Sequence, residues 1–541
     1  MAVGLESLPE ELFRLITQHL DAVDIILCRS VSKTWHTAFA NPSFLRTAII
    51  THLGYAREVQ RLKCEGPAEN TGRDSAYWMH IFDRVAAHYH ALKNGKPFYI
   101  TKLSQYVGER PAHLCPITHF FEDVYKSALV RYAEYHRLDR EQAWTYDDGL
   151  LVYADKESKG YVLLDIEDTT KTNVPFELKG RYIRQIRLCN QVLLIEWAED
   201  TPYHSDSEPV HRHFVTAFDV VPVPKSLPWL PKWSVTYRNE WKLHFLGLPL
   251  SYKDRFFSVH TATHYAVYFW QLPRPSLEGS TAVELLTVWD ISQHCDYRPS
   301  DDPSGQGKPE FGPRVMFKAS NELLSFYGIR QKNCPSFQRL RLDEGEGMVY
   351  FQGEAGLTAS GRLGKGKYPS WTYSGCVVGI PISGIGPAWR SEVYQKWRAS
   401  SKKRPATLIR GFPNNETSID PIKAYEYSRC EEFMWTFHGG ELRGYRDCAA
   451  GINFVAGQPD QHRPKHPVDW IIHIWGDDWK AKVEQNAVDC LKFSRIRGDE
   501  RWIIGRNKLS NEIVILHFDR KSSTGMHPVA LCSTESTADT N

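Results

Sequence analysis

The sequence predicts a small all-α module at its N-terminal end, a helical linker, and then a large all-β domain of degenerate β-propeller type with six to eight blades. Three observations predict it. Apolar residues recur at helical spacing over roughly the first quarter of the chain. From Trp144 the apolar period changes to two. Aromatic residues reach 13% of the 541, and 36 Gly and 31 Pro interrupt them. Aromatics favour strands, and Gly and Pro end them.

The helices come first. Ser7-Leu8-Pro9-Glu10 is a capping-box pattern: Ser7 caps, Pro9 suits a first turn, and Glu10 lies three residues after Ser7. Leu12, Leu15, Ile16 and Leu20 follow at helical spacing. Asp21 and Asp24 start a second helix carrying Ile25, Ile26 and Leu27. Ser32 caps a third, with Trp35 and Phe39 four apart. Asn41-Pro42-Ser43 breaks the chain, and Phe44-Leu45-Arg46 opens a fourth that runs through Ile49. The clearest helix spans Ser75 to Lys93. Trp78, Ile81, Phe82, Val85, Tyr89 and Leu92 line one face of it, and Asn94-Gly95 with Pro97 ends it.

Strands follow. Leu150 to Tyr153, Tyr161 to Asp165, Arg181 to Ile186, Val192 to Trp197, His213 to Val220, Trp233 to Tyr237, Tyr265 to Trp270 and Leu285 to Ile291 read as strands between turn signals. So do Leu323 to Ile329, Met348 to Gln352, Trp470 to Trp475, Trp502 to Ile504 and Ile513 to Phe518. Trp389 to Trp397 is the one long segment here that also admits a helix. So many short strands exceed one sandwich, and radial repetition hides their edges. A degenerate echo supports this: Leu164-Asp165-Ile166, Phe218-Asp219-Val220, Trp289-Asp290-Ile291 and Phe518-Asp519 each put Asp after an apolar residue. Val288-Trp289-Asp290-Ile291 matches the end of a WD-type repeat. The loops expected are Asp200 to Val210, Arg298 to Pro313, Ala399 to Pro405 and Gly457 to Pro467.

Composition excludes whole classes. Lys+Arg is 66 against Asp+Glu 64, so net charge does not drive binding to nucleic acid or to an acidic membrane. The 11 cysteines form no CxxC pair and no zinc-ligand spacing, and they read as reduced thiols. Met1 to Leu12 lacks the basic and apolar regions of a secretory leader. No run approaches the ~20 apolar residues of a membrane span.

One segment is recognisable. Leu8-Pro9-Glu10-Glu11-Leu12, Ile16, Leu20-Asp21, Asp24-Ile25, Arg29, Val31-Ser32-Lys33, Trp35 and Phe44-Leu45-Arg46 resemble an F-box, in family order and spacing. The last element departs from the usual Leu-Trp-Arg at its centre. The wider arrangement resembles fungal F-box proteins with a propeller-like body. Resemblance and patterning together divide the chain into an F-box (1–50), a helical linker (51–140), a propeller-like substrate-binding domain (141–521) and a polar tail expected to be disordered (522–541).

Independently of the name, residues 5–50 hold 23 apolar residues among 46. Three or four short helices cannot bury all of these among themselves. The surplus suits a helix-in-groove partner. The resemblance implies that partner: a Skp-family adaptor, and through it cullin and RING subunits. It also implies the contact and module-core positions Leu8, Pro9, Ile16, Leu20, Ile25, Val31 and Trp35. The function implied is substrate recognition in a Skp–cullin–F-box (SCF) ubiquitin ligase, in cytoplasm or nucleus, with no catalytic residue, cofactor or metal and with an unknown protein target. The alternatives are an F-box interaction protein outside any ligase and a propeller enzyme with a helical cap.

Other chemical signals are weak. Gly361 to Lys367 spells G-x-x-x-x-G-K, but Tyr368 stands where magnesium needs Ser or Thr, and Pro369 blocks the helix. It reads as a basic surface loop. His88/His90, His211/His213 and His462/His466 read as core or solvated histidines without a third metal ligand. Lys402-Lys403-Arg404-Pro405 reads as a solvated insertion or a nuclear-import signal.

Overall fold

The computed structural model describes residues 9–52 (save 18 and 21), 75–106, 144–202, 211–223, 232–243, 255–271, 282–330, 337–353, 356–360, 370–382, 389–398, 430–437, 440–447, 452–457, 470–474, 480–482, 496–499, 501–507 and 512–519. The chain divides into two units, residues 1–99 with 517–541, and residues 100–516.

The first unit is helical. α1 is Glu10–Thr17, α2 Ala22–Cys28, α3 Lys33–Phe39, α4 Pro42–His52 and α5 Ser75–Asn94. The Ser32 hydroxyl caps α3 by accepting the Trp35 N–H at 3.1 Å, as the sequence predicts. Asn41 does the same for α4, accepting from the Ser43 N–H at 2.9 Å. With Pro42 at the first helical position, α4 starts two residues before the expected Phe44. Ser7 of the capping box lies outside the described residues. Phe13, Phe39 and Phe44 pack edge-to-face with centroids 5.0 to 5.4 Å apart. Ile25, Leu45 and Ile49 complete this core. α5 packs on α2 and α4 and buries Trp78, Phe82, Val85, Tyr89 and Leu92. Among the described residues no helix is long and apolar enough to cross a membrane.

The second unit is all-β, in six antiparallel sheets of four or five strands among the described residues. The first sheet is β2 (Trp144–Asp147), β3 (Leu150–Ala154), β4 (Tyr161–Asp165) and β5 (Thr170–Asn173). The second is β6 (Arg181–Cys189), β7 (Val192–Glu199), β8 (His213–Pro222) and β9 (Trp233–Leu243). The third is β10 (Arg255–His260), β11 (His264–Gln271), β12 (Val283–Asp290) and β13 (Arg314–Ala319). The fourth holds β14 (Phe337–Asp343), β15 (Met348–Gly353), β16 (Gly356–Ser360), β17 (Ser370–Pro381) and β18 (Trp389–Arg398). The fifth holds β19 (Cys430–Phe437), β20 (Gly440–Asp447), β21 (Ile452–Gly457), β22 (Trp470–Ile474) and β23 (Lys480–Lys482). The sixth joins β24 (Ile496–Gly498), β25 (Trp502–Asn507) and β26 (Glu512–His517) to β1 (Tyr99–Ser104), so it pairs two distant parts of the chain.

The sheets stack because their strands are apolar on both faces. In β3, Leu150, Val152 and Ala154 join a cluster with the second sheet, while Leu151 and Tyr153 join one with the sixth. In β8, Phe214 and Phe218 face the first sheet, and Val215 and Ala217 face the third. In β12, Leu285 and Trp289 face the second sheet, and Leu286 and Val288 the fourth. Each such side chain contributes ~1.5–3 kcal/mol. Among the described residues the contacts run as an open series, fifth to sixth to first to second to third to fourth, consistent with a degenerate propeller.

The aspartate echo has a structural meaning. Asp165, Asp219 and Asp290 stand in β4, β8 and β12, each the third strand of its sheet in chain order, and Asp519 stands just after β26, the last strand of the sixth sheet. Asp165 accepts from the Glu167 N–H at 3.0 Å and the Trp233 indole N–H at 2.8 Å. Asp290 accepts from the Ser292 N–H at 2.9 Å. Asp219 pairs with Arg238, and Asp519 with Arg84 in the first unit.

Some elements differ from expectation. Leu323 to Ile329, expected as a strand, begins with helix α6 (Asn321–Phe326). Ser320 precedes it, and the spacing of Leu324 and Tyr327 puts both into the core. Trp389 to Trp397 is strand β18, set by its full register with β17. β1 lies within the stretch expected as helical linker, beyond the Asn94–Pro97 stop signal. The Arg298 to Pro313 loop is irregular as expected. Most of Asp200 to Val210 and Gly457 to Pro467, and all of Ala399 to Pro405, Gly361 to Lys367, His462, His466 and the tail from 522, lie outside the described residues.

A buried polar seam joins the second and third sheets. Glu196 accepts from the Ser258 and Tyr265 hydroxyls, and burial pushes its carboxyl above the usual carboxylate range. Burial lowers His260 to about 4, and Arg187 and Arg238 add to the effect. His213, which accepts from Arg184 at 2.9 Å, is also lowered by burial. Both imidazoles are neutral in the fold and bind protons on unfolding. Their contribution is complete above the usual 6.5 and is lost as pH falls toward 4. His260 alone accounts for ~3 kcal/mol of that loss. The thermal midpoint of the full chain, followed from pH 7 to 4, is expected to fall less steeply in His260→Gln than in the parent.

Candidate partner-binding surface

Helix α1 is apolar on more than one face. Phe13 points into the module core, and the Thr17 hydroxyl donates to the Phe13 carbonyl at 2.9 Å on the same side. Leu12, Leu15 and Ile16 stand at i, i+3 and i+4 and are exposed. Leu27 on α2 and Val31 in the following turn are exposed too. Across these five, exposure runs from 46% at Ile16 to 63% at Val31. Single exposed aliphatics need no explanation, but five in a module of about four short helices do.

The residues expected to make contact or form the core are placed as follows. Pro9, Ile16 and Val31 are exposed, Leu20 and Trp35 are half-buried, and Ile25 is fully buried. Leu8 lies outside the described residues. Trp35 leans on Phe39 at 5.7 Å, so it both closes the core and offers an outer ring face. Leu15 and Leu27 were legible only as helix-forming apolar residues, and Leu12 as part of the F-box-like opening without a contact role. The signal that α1 carries two apolar faces is the run Leu12-Phe13 followed by Leu15-Ile16.

The surface is held from behind. Arg29, at the end of α2, is buried, donates to Asp83 on α5 at 2.5 Å, and lies over the Phe82 ring at 5.1 Å. Arg84 binds Asp519, at 2.6 Å through Nη2 and 3.1 Å through Nε. α5 therefore belongs to the module, since it closes the buried side of α2 and α4.

The other sequence candidates stay apart from this surface. His88 is buried and His90 exposed, so they share no face. His211 bonds the Glu199 carbonyl at 2.6 Å and His213 meets Arg184. No group of metal-ligating side chains forms among the described residues.

These features define a class: a small helical module with an outward apolar face, followed by an all-β body of several four-stranded sheets. The F-box domain model matches residues 5–47, and the chain carries an F-box. F-box domains bind Skp-family adaptors and serve in general as non-catalytic adaptor modules. No curated protein matches the chain. Two solved structures, both of an ulvan lyase of a polysaccharide lyase family, one of them bound to a glucuronate and sulfated-rhamnose repeat, are similar at 8% and 9% identity. Each match covers 67% of this chain and 75% of the other, with a TM-score of 0.14, which carries no argument about fold or activity.

Breaking the Arg29–Asp83 pair leaves a buried guanidinium without its carboxylate. Asp83→Ala is expected to cost ~2 kcal/mol in urea unfolding of the full chain. Arg29→Met keeps the packing on Phe82 without the charge and is expected to cost less.

Proposed function

We propose that this chain is the substrate-recognition subunit of an SCF-type ubiquitin ligase. The F-box match at residues 5–47 carries the reading, and the exposed row Leu12, Leu15, Ile16, Leu27 and Val31 supports it. In this reading Leu8, Pro9, Ile16, Leu20, Val31 and Trp35 meet the adaptor, and Ile25 holds the helices that present them. Each large side chain covered contributes ~1.5–3 kcal/mol. Cullin and RING subunits join through the adaptor, in cytoplasm or nucleus. The chain does no bond chemistry. The all-β body holds a target protein, and its lysines meet a charged ubiquitin-conjugating enzyme at raised effective concentration.

The test uses Leu15→Asp with Val31→Asp in the full chain. Both side chains are exposed, so the thermal midpoint should hold while co-purification with a Skp-family adaptor and cullin drops by at least about a hundredfold in affinity, the loss of ~2.7 kcal/mol. Undiminished co-purification would refute the docking face. Adaptor binding without cullin would place the chain outside a ligase.

A further inference from the structure

Strand β13 ends the third sheet with an apolar outer edge. Val315 and Met316 are exposed on it, Phe311 just before it is 64% exposed, and Phe326 on α6 just after it is 78% exposed. The register explains the paired exposure of Val315 and Met316. Val288 pairs with Phe317 and Trp289 with Val315, so Met316 is the extra residue of a bulge and has no partner across the sheet. Phe317 and Ala319 point inward and are buried.

Proteins normally blunt such edges with charge or with a bulge. This chain uses charge elsewhere. β5, the last strand of the first sheet, reads Thr-Lys-Thr-Asn, and β23, the last of the fifth, reads Lys-Ala-Lys. β13 keeps its cations at the two ends of the apolar stretch: Arg314, 70% exposed along its side chain, and Lys318, also exposed. Arg314 is 3.6 Å from Asp290 and remains largely in solvent.

Those two cations select the occupant. In a second copy pairing antiparallel and centred on Met316, Arg314 would oppose Lys318 twice, and directly opposed like charges are unfavourable. An apolar strand with acidic residues at both ends meets the same edge with every charge matched. We propose that β13 is a strand-addition site for an extended apolar segment of another protein flanked by acidic residues. Exposed Phe311 precedes this strand in the chain and exposed Phe326 follows it. As the place where the body holds its target, the site rests on the reading given under Proposed function; its chemistry does not.

The test uses the full chain bound to its adaptor and two labelled peptides. Both share a Val-Thr-Val-Thr-Val centre; one carries two glutamates at each end, the other two lysines. Fluorescence anisotropy should show the glutamate peptide binding about tenfold more tightly, a difference of ~1.4 kcal/mol. Met316→Asp should remove that binding. Arg314→Glu with Lys318→Glu should transfer the preference to the lysine peptide, a gain that misfolding cannot mimic. Equal binding of the two peptides, no binding to the parent, survival of binding in Met316→Asp, or a dimer that excludes both peptides would each overturn the proposal. Adaptor co-elution, measured on the same samples, should not change in these variants. Its loss in Leu15→Asp with Val31→Asp, with peptide binding intact, separates the two sites.

Discussion

Helix α1 cannot be satisfied from one side. Eight residues hold Phe13 and Thr17 against the module core and Leu12, Leu15 and Ile16 away from it. A short amphipathic helix normally turns one apolar stripe inward and a polar face outward. Here the outward face is aliphatic as well, and α2 with its following turn adds Leu27 and Val31. The aromatic triad of Phe13, Phe39 and Phe44 makes up the interior on the other side of α1. This aliphatic excess gives the docking reading its physical content.

The same module depends on a helix far from it in sequence. Arg29 is too buried to stand without Asp83 and the Phe82 ring, and both belong to α5. The functional module therefore does not stop where the family match stops. Its inner wall is α5, and Asp519, just past the last strand, ties down Arg84 on that helix. Outer apolar face and inner buried charge are complementary demands: the inner side must be fixed by specific pairs so that the outer side remains available.

What could be read in the sequence follows from how local each signal is. Helix starts were legible at Ser32, because a cap bonds three residues away. Most strands of the first three sheets were legible as apolar runs, though β10 (Arg255–His260) was not read, and burial on both faces erases the alternation that would say which side faces what. β5, Thr-Lys-Thr-Asn, and β13, with its bulge at Met316, carried no clean period and were missed. Leu323 to Ile329 misled because two adjacent leucines fit either period, and only packing of Leu324 and Tyr327 decides for a helical turn. Of the candidate surface, the F-box-like spacing from Leu8 to Trp35 was legible through resemblance. The exposure of Leu12, Leu15 and Leu27 was not, because periodicity assigns residues to a helix but not to one of its two apolar faces.

The aspartate echo shows why a repeat can fade so unevenly. Core positions of a stacked sheet tolerate exchange among aliphatic and aromatic side chains if total volume is kept. Val162, Phe214 and Leu285 each face the preceding sheet and can thus serve equivalent layers without resembling one another. A turn after the third strand is less forgiving. It needs a short acceptor that reaches a nearby backbone N–H, as Asp165 reaches Glu167 and Asp290 reaches Ser292. The same carboxylate then faces a donor, the Trp233 indole for Asp165 and the Arg238 guanidinium for Asp219. Leaving such a carboxylate unpaired costs more than exchanging an apolar neighbour. The apolar layers therefore differ from sheet to sheet while the turn acceptor recurs, which leaves a period visible in one polar residue type and almost nowhere else.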